Sequence, residues 1–170
     1  MPPTYDPEAV QPMVAELTTI GVESLTSAEA VDAFLARPGT ALLVVNSVCG
    51  CAAGNCRPGV GLALQHAKIP THLGTVFAGM DTEAVNRARQ LMAGVPPSSP
   101  CIAMFENGKM TGILERRHIE RMTAVDIANT LTKAFDEKCD REGPSVPKEV
   151  FDGNDQVKAC GSRIPLYSGN

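Results

Sequence analysis

The chain contains no tryptophan and only two tyrosines, and aromatic residues make up 4% of it. So few rings cannot build a platform for stacking nucleic-acid bases. Excess positive charge is also missing. The net charge is −4, which argues further against a nucleic-acid partner. No apolar run approaches the roughly 20 residues that a membrane span requires. The opening Met1-Pro2-Pro3-Thr4-Tyr5-Asp6 has neither the basic nor the apolar segment of a secretory signal, so a cytoplasmic protein is expected. What is present is ordinary for a soluble domain. The chain has 170 residues, 44% apolar and 20% charged, enough for one hydrophobic core.

Cysteine is not scarce. It occurs at positions 49, 51, 56, 101, 139 and 160. In a cytosolic chain of this size, thiols point to catalytic, redox-sensing or metal roles rather than a disulfide framework.

Apolar spacing predicts a helix over residues 7–20, with Val10, Met13, Val14 and Leu17 on one face. Thr26 with Glu29 reads as a capping box for a helix over 27–36, stopped by Pro38-Gly39. Residues 40–48 form the most apolar run and read as a central strand covered on both faces. Residues 52–68 read as a helix with Pro58 inside it. Either Pro58 kinks that helix, or its first turn is separate and regular helix begins near Pro58. A second strand is expected at 72–79, followed by a helix capped by Asp81 or Thr82 and ended by Gly94. The strand Cys101–Phe105, the turn Asn107-Gly108 and the strand Met110–Leu114 read as a hairpin. A last helix, capped by Thr123, is expected over 124–138. The fold class is therefore α/β. Its central mixed sheet is flanked by helices, with a parallel pair from the early strand–helix–strand unit and an antiparallel edge from the hairpin. Composition shifts near Asp140, which divides the chain into a domain at 1–139 and an irregular C-terminal extension at 140–170.

The residues with chemistry stand at the end of the apolar strand: Cys49-Gly50-Cys51. A thiolate attacks disulfides and a thiol does not. A helix N-terminus favours the anion, and the strand-then-helix order places Cys49 there. Arg57 is the nearest cation in sequence. Side chains at i and i+2 of a regular helix point to roughly opposite sides, so a Cys49–Cys51 disulfide needs a turn, which Gly50 permits. A strained disulfide is readily reduced. The pair thus suits an exchange catalyst, with transient internal or mixed disulfides. Two other readings stand beside this one. Cysteine packs well as a small buried apolar residue. Alternatively, Cys49, Cys51, Cys56 and Cys101 supply the four thiolates that zinc or an iron–sulfur cluster wants, although the spacing matches no standard ligand run. A non-catalytic redox-sensing module is the remaining alternative.

The stretch Asn46-Ser47-Val48-Cys49-Gly50-Cys51-Ala52-Ala53-Gly54-Asn55, followed by Arg57-Pro58, resembles the active-site block of the bacilliredoxin family. So does Pro96-Pro97-Ser98-Ser99-Pro100, followed by an apolar strand and Asn107-Gly108-Lys109. The similarity extends over about residues 5–138. It implies a thioredoxin-like fold. The implied activity removes bacillithiol, a low-molecular-weight thiol, from mixed disulfides on cytosolic proteins, and some members are described as weak disulfide isomerases. The partners implied are S-thiolated proteins and the small thiol as co-substrate, with no bound cofactor and no metal. By this resemblance Cys49 attacks and Cys51 resolves. Gly50 and Arg57 support them, and Ser99-Pro100 falls where the fold places a cis-proline beside the site, leaving backbone groups for an extended substrate.

Two features depart from the family pattern. Cys56 stands where a small non-thiol residue is expected, and is either a neutral core substitution or a third redox thiol. The tail after Cys139 is long, and Cys139 and Cys160 have the option of pairing with each other or with Cys56. His66, His72 and His118 lie away from the thiol block and read as surface or packing residues. Arg116-Arg117-His118 with Arg121 reads as a solvated basic face, or as a contact for the carboxylates of a small thiol.

Overall fold

The computed structural model of the chain describes residues 1–156 and 164–169. Helix α1 (Pro7–Thr18) starts where Asp6 accepts the amides of Glu8 and Ala9, with Pro7 in the first turn, and it buries Val10, Met13 and Leu17. β1 (Glu23–Ser24) and α2 (Ala28–Leu35) follow, then β2 (Thr40–Asn46), in which every residue is buried. A π-helical turn (Ala52–Cys56) leads directly into α3 (Arg57–Ala63). After these come β3 (Lys68–Ile69), β4 (His72–Phe77) and α4 (Thr82–Leu91). The hairpin is β5 (Cys101–Glu106) and β6 (Lys109–Leu114). It turns through Asn107 at φ 50 and Gly108 at φ 80, the left-handed pair that a type I′ turn requires. The chain continues through α5 (Arg116–Ile119), α6 (Ala124–Lys138), β7 (Arg141–Glu142) and α7 (Lys148–Asp152).

The five-stranded sheet runs β1-β4-β2-β5-β6. β1, β4 and β2 are parallel, and β5 and β6 are antiparallel to their neighbours. Successive residues of β2 enter opposite cores. Leu42 and Val44 join Leu17, Val60, Ile127 and Phe135 beneath α1, α3 and α6. Leu43 and Val45 join Val31, Phe34, Val85 and Ala88 beneath α2 and α4. A third small cluster packs Val10 and Met13 of α1 against Val48 and Phe77, at the end of the sheet where β2 and β4 stop. This is the expected α/β architecture, a central mixed sheet between two layers of helix. The tightest contact between those helices explains a glycine. A Cβ on Gly59 of α3 would lie 2.7 Å from Ile127 Cγ2 of α6.

The structure changes several local expectations. Ser27, not Thr26, caps α2, accepting the Ala30 amide at 3.1 Å. The helix begins one residue later than the box would allow. β2 ends at Asn46, before the expected 48, because the Asn46 side chain accepts the next amide, that of Ser47, at 2.8 Å. The 52–68 segment resolves to the second alternative. Arg57 N–H donates to Ala52 O, five residues back, and regular helix begins there, with Pro58 in the first turn. Pro58 has no N–H to continue an α ladder and its ring crowds the preceding turn, so a widened turn before it is the low-cost arrangement.

The tail after Cys139 is irregular over most of its described length, but it carries two short regular pieces. β7 pairs antiparallel with β3, and α7 places Phe151 against the core. Ser145 Oγ donates to Ile20 O at 2.7 Å, Asn154 Nδ2 donates to Glu16 O at 2.8 Å, and Leu166 bridges to Tyr5. Cys139 is a buried free thiol. Its pairing with Cys160 concerns a residue outside those described. Among the described residues no helix is long and apolar enough to cross a membrane.

Candidate functional site

The thiol turn is built on a polar knot under the end of β2. Asn46 is fully buried and donates to Met13 O of α1 at 3.2 Å. Its Oδ1 accepts from Arg57 Nη1 at 3.1 Å, and Ser47 O accepts from the same nitrogen at 2.8 Å. Arg57 Nε donates to the Glu16 carboxylate of α1, and both side chains are buried. The knot therefore joins α1, the strand end and the start of α3. Arg57 acts from inside it. In sequence Arg57 is the nearest cation to Cys49, with its direction left open; the structure turns it inward onto Glu16, Asn46 and Ser47.

Above the knot, Ser47 Oγ accepts the Cys49 amide at 3.1 Å. Cys49 O accepts the amides of Ala52 and Ala53 at 3.1 and 3.2 Å, so a helical turn opens at Cys49 as expected. Cys49 and Cys51 are both half-buried free thiols, close enough that the charge of one acts on the other. Between them, Gly50 is not among the positive-φ glycines, and a Cβ there would meet nothing within 4 Å. Cys49 precedes the helix, while Cys51 stands in its first turn. Gly50 leaves the solvent side open. An open groove of about 500 Å³ begins there, lined by Gly50, Ala53, Gly54, Pro58 and Leu62, with Gln156 of the tail at its edge.

The second expected block comes to the same place. The Ser99-Pro100 peptide is cis. Arg116 of α5 donates from Nη1 to Ser99 O at 3.3 Å and from its amide to Ser98 Oγ at 3.4 Å. Arg116 also lies close enough to Cys51 for its charge to act on that thiol. Asn55 in the π turn fixes α5 from below, its Nδ2 donating to Ile119 O at 2.9 Å and to Met122 O at 2.7 Å. Sequence reading weighed Arg116 only within a basic cluster and left Asn55 and Glu16 without a role. Asn55 lay within the recognised block, so a signal existed. Glu16 had none.

The thiols divide by environment. Burial raises Cys51, the neighbouring Cys49 raises it further, and Arg116 opposes both. Cys56 is completely buried, and burial pushes its thiol far above the ordinary range, with Cys101 adding to the effect. Cys101 is pushed up to about 11, again by burial. A thiol held in its neutral form deep in a core is a poor nucleophile. Among the described residues no three His, Cys, Asp or Glu side chains are grouped so as to hold a metal ion. Cys49, Cys51, Cys56 and Cys101 are not brought together as such a group. Cys56 fits the core-substitution reading. Cys56→Ala is expected to keep full exchange activity and to cost about 1 kcal/mol of stability, as for small deletions in a core. Native protein should leave Cys56 unalkylated by iodoacetamide; rapid labelling of Cys56, or loss of activity in the variant, would restore it as a third redox thiol.

The three histidines serve structure. His66 Nε2 meets Asp136 Oδ1 at 2.8 Å, His72 Nε2 meets Pro38 O at 3.1 Å, and His118 Nδ1 accepts the Glu115 amide at 3.0 Å.

A family described as Disulphide isomerase matches residues 5–139. Curated relatives include a bacilliredoxin of Cytophaga hutchinsonii, 53% identical over 133 residues that make up 78% of this chain and 98% of the relative. One from Salinibacter ruber is 48% identical, over 82% of this chain and 84% of its own length. Another, from Staphylococcus haemolyticus, is 46% identical over 74% and 86%. Among solved structures, oxidised thioredoxin from Plasmodium falciparum aligns over 69% of this chain and 97% of its own, at a TM-score of 0.45 and 15% identity.

Proposed function

Since the chain belongs to the bacilliredoxin family, we propose that it is a cytoplasmic thiol–disulfide oxidoreductase that removes bacillithiol, or a similar small thiol, from mixed disulfides on proteins. The observation that carries this reading is the contrast among thiols. Cys49 and Cys51 are partly exposed side by side at the mouth of a helix, while Cys56, Cys101 and Cys139 are buried.

In this mechanism the Cys49 thiolate attacks the small-thiol sulfur of the mixed disulfide. The S–S bond to the client protein breaks, and the client leaves as a thiolate that takes up a proton. Cys49 now holds the small thiol. Cys51 loses its proton and attacks Cys49 Sγ, which forms the Cys49–Cys51 disulfide and expels the small thiol. A free small thiol clears the adduct by the same exchange, and two of them return the enzyme disulfide to thiols. The groove that begins at Gly50, next to Cys49 in the chain, gives an incoming chain room beside the thiol turn. Attack of Cys49 on a disulfide within one protein, followed by return of the client thiol, would give weak isomerase activity.

The test is intact-mass analysis of reduced protein after exposure to oxidised bacillithiol or glutathione disulfide, with peptide mapping. One small-thiol adduct on Cys49, or its loss to a Cys49–Cys51 disulfide, is the expected result. Modification confined to other cysteines would overturn the assignment.

A further inference from the structure

Helix α5 has no part in the exchange as written above, yet four hydrogen bonds fasten it and the turn after it to the site. Asn55 in the π turn donates to Ile119 O at its far end and to Met122 O, three residues beyond it. At its near end the Arg116 amide and guanidinium hold Ser98 and Ser99. Arg116 is thus suspended between the cis-proline loop and the thiol turn. It is also half-exposed and reaches toward Glu120 Oε2 at 3.8 Å.

We propose that Arg116 is the positioning residue for the resolving step: held by Ser99 and by the Asn55 clamp on α5, it steadies Cys51 in the anionic form that attacks Cys49. The proposal rests on the reading of Cys51 as the resolving thiol. The charged and titratable groups that act on Cys51 are few. Cys49 faces it from its own turn, Arg116 and Glu120 face it from the α5 segment, and Cys56 lies one π turn on. Burial and Cys49 work against ionisation of Cys51, Glu120 works with them, and among the described residues Arg116 is the cation acting the other way. The resolving thiol must ionise after Cys49 has been capped and is no longer an anion. At that moment the Arg116–Glu120 balance decides how much thiolate is present.

The experiment uses 2,2′-dithiodipyridine, an uncharged disulfide, so that carboxylate binding by Arg116 plays no part. In a full-length Cys160→Ser background, the first equivalent of pyridine-2-thione reports attack by Cys49. The second equivalent reports attack by Cys51 on the pyridyl-capped Cys49, and its rate is followed against pH. Arg116→Gln is expected to move the midpoint of the second phase upward by a few tenths of a pH unit, and to slow it about twofold to fivefold at pH 7. Because a thiol of higher pKa gives a more nucleophilic thiolate, the variant should catch up at alkaline pH. Arg116→Lys should restore most of the midpoint, and Glu120→Gln should move it downward. The first phase should be unchanged throughout. Unmoved midpoints, or shifts of the same sign in Arg116→Gln and Glu120→Gln, would overturn the proposal, since a merely structural contact has no reason to follow charge. A different result marks failure of the underlying reading: no second equivalent from the otherwise unmodified site at any pH, or a second equivalent that persists in Cys51→Ser.

Discussion

Cys49→Ser is expected to reduce removal of a small thiol from a mixed disulfide by at least about 10³-fold, because a serine hydroxyl supplies no thiolate at neutral pH. Cys51→Ser should behave differently. It keeps the attacking thiol, the Ser47 bond to the Cys49 amide and the open side at Gly50. It replaces the neighbouring thiol with a hydroxyl. A hydrogen bond from that hydroxyl is worth roughly 1 kcal/mol net, so the first step should stay within about tenfold of the parent. The second step stops, and the small thiol remains on Cys49. Intact mass on quenched reactions separates the cases. Cys51→Ser should accumulate a one-thiol adduct that added free thiol discharges, and Cys49→Ser should accumulate none. Equal loss of the first step in both variants, or an active Cys49→Ser protein, would reverse the roles. Neither Cys56 nor Cys101 is placed to substitute for Cys49, since burial holds both as neutral thiols.

Much of this site was legible in the sequence because its signals are local. The apolar run of β2, the thiol pair at its end, the Asn107-Gly108 turn and the Thr123 cap of α6 each depend on a few adjacent residues. Their backbone preferences leave little choice. Other features depend on partners far along the chain and leave no local trace. Arg57 meets Glu16 across 41 residues, so its inward direction could not be read from its nearness to Cys49. β1 and β3 have two residues each, too few for any periodicity to register. The short α5 begins within an arginine pair that reads as solvated surface, and only the Asn55 bonds reveal what holds it at the thiols. At α2 two adjacent hydroxyl residues competed for one cap. The choice of Ser27 over Thr26 turned on where the chain leaves its extended conformation.

The knot beneath the thiols leads to the largest expected effect on stability. Glu16→Ala should destabilise the fold by about 3–5 kcal/mol, the cost of removing one partner from a buried ion pair. Since domains of this kind are stable by about 5–15 kcal/mol, the urea midpoint should fall by a large fraction of its value. The bonds of Arg57 to Asn46 Oδ1 and Ser47 O are to neutral groups. They steady the guanidinium but do not replace the carboxylate. Removing both charges has a different consequence. In Glu16→Leu combined with Arg57→Met, no buried charge is left at the pair, and apolar replacements of similar volume often recover or exceed the original stability. That variant also gives up the bonds that fix Asn46 and Ser47, and Ser47 Oγ is what holds the Cys49 amide. Stability and activity should therefore separate. The single variant unfolds early, whereas the double variant regains most of the urea midpoint but exchanges thiols more slowly, because Cys49 is no longer held at the helix mouth. A double variant with parental stability and parental exchange rate would show that the knot serves folding alone. If the knot also sets the thiol turn, as its bonds to both sides of the strand end imply, the exchange rate must fall even where the fold does not.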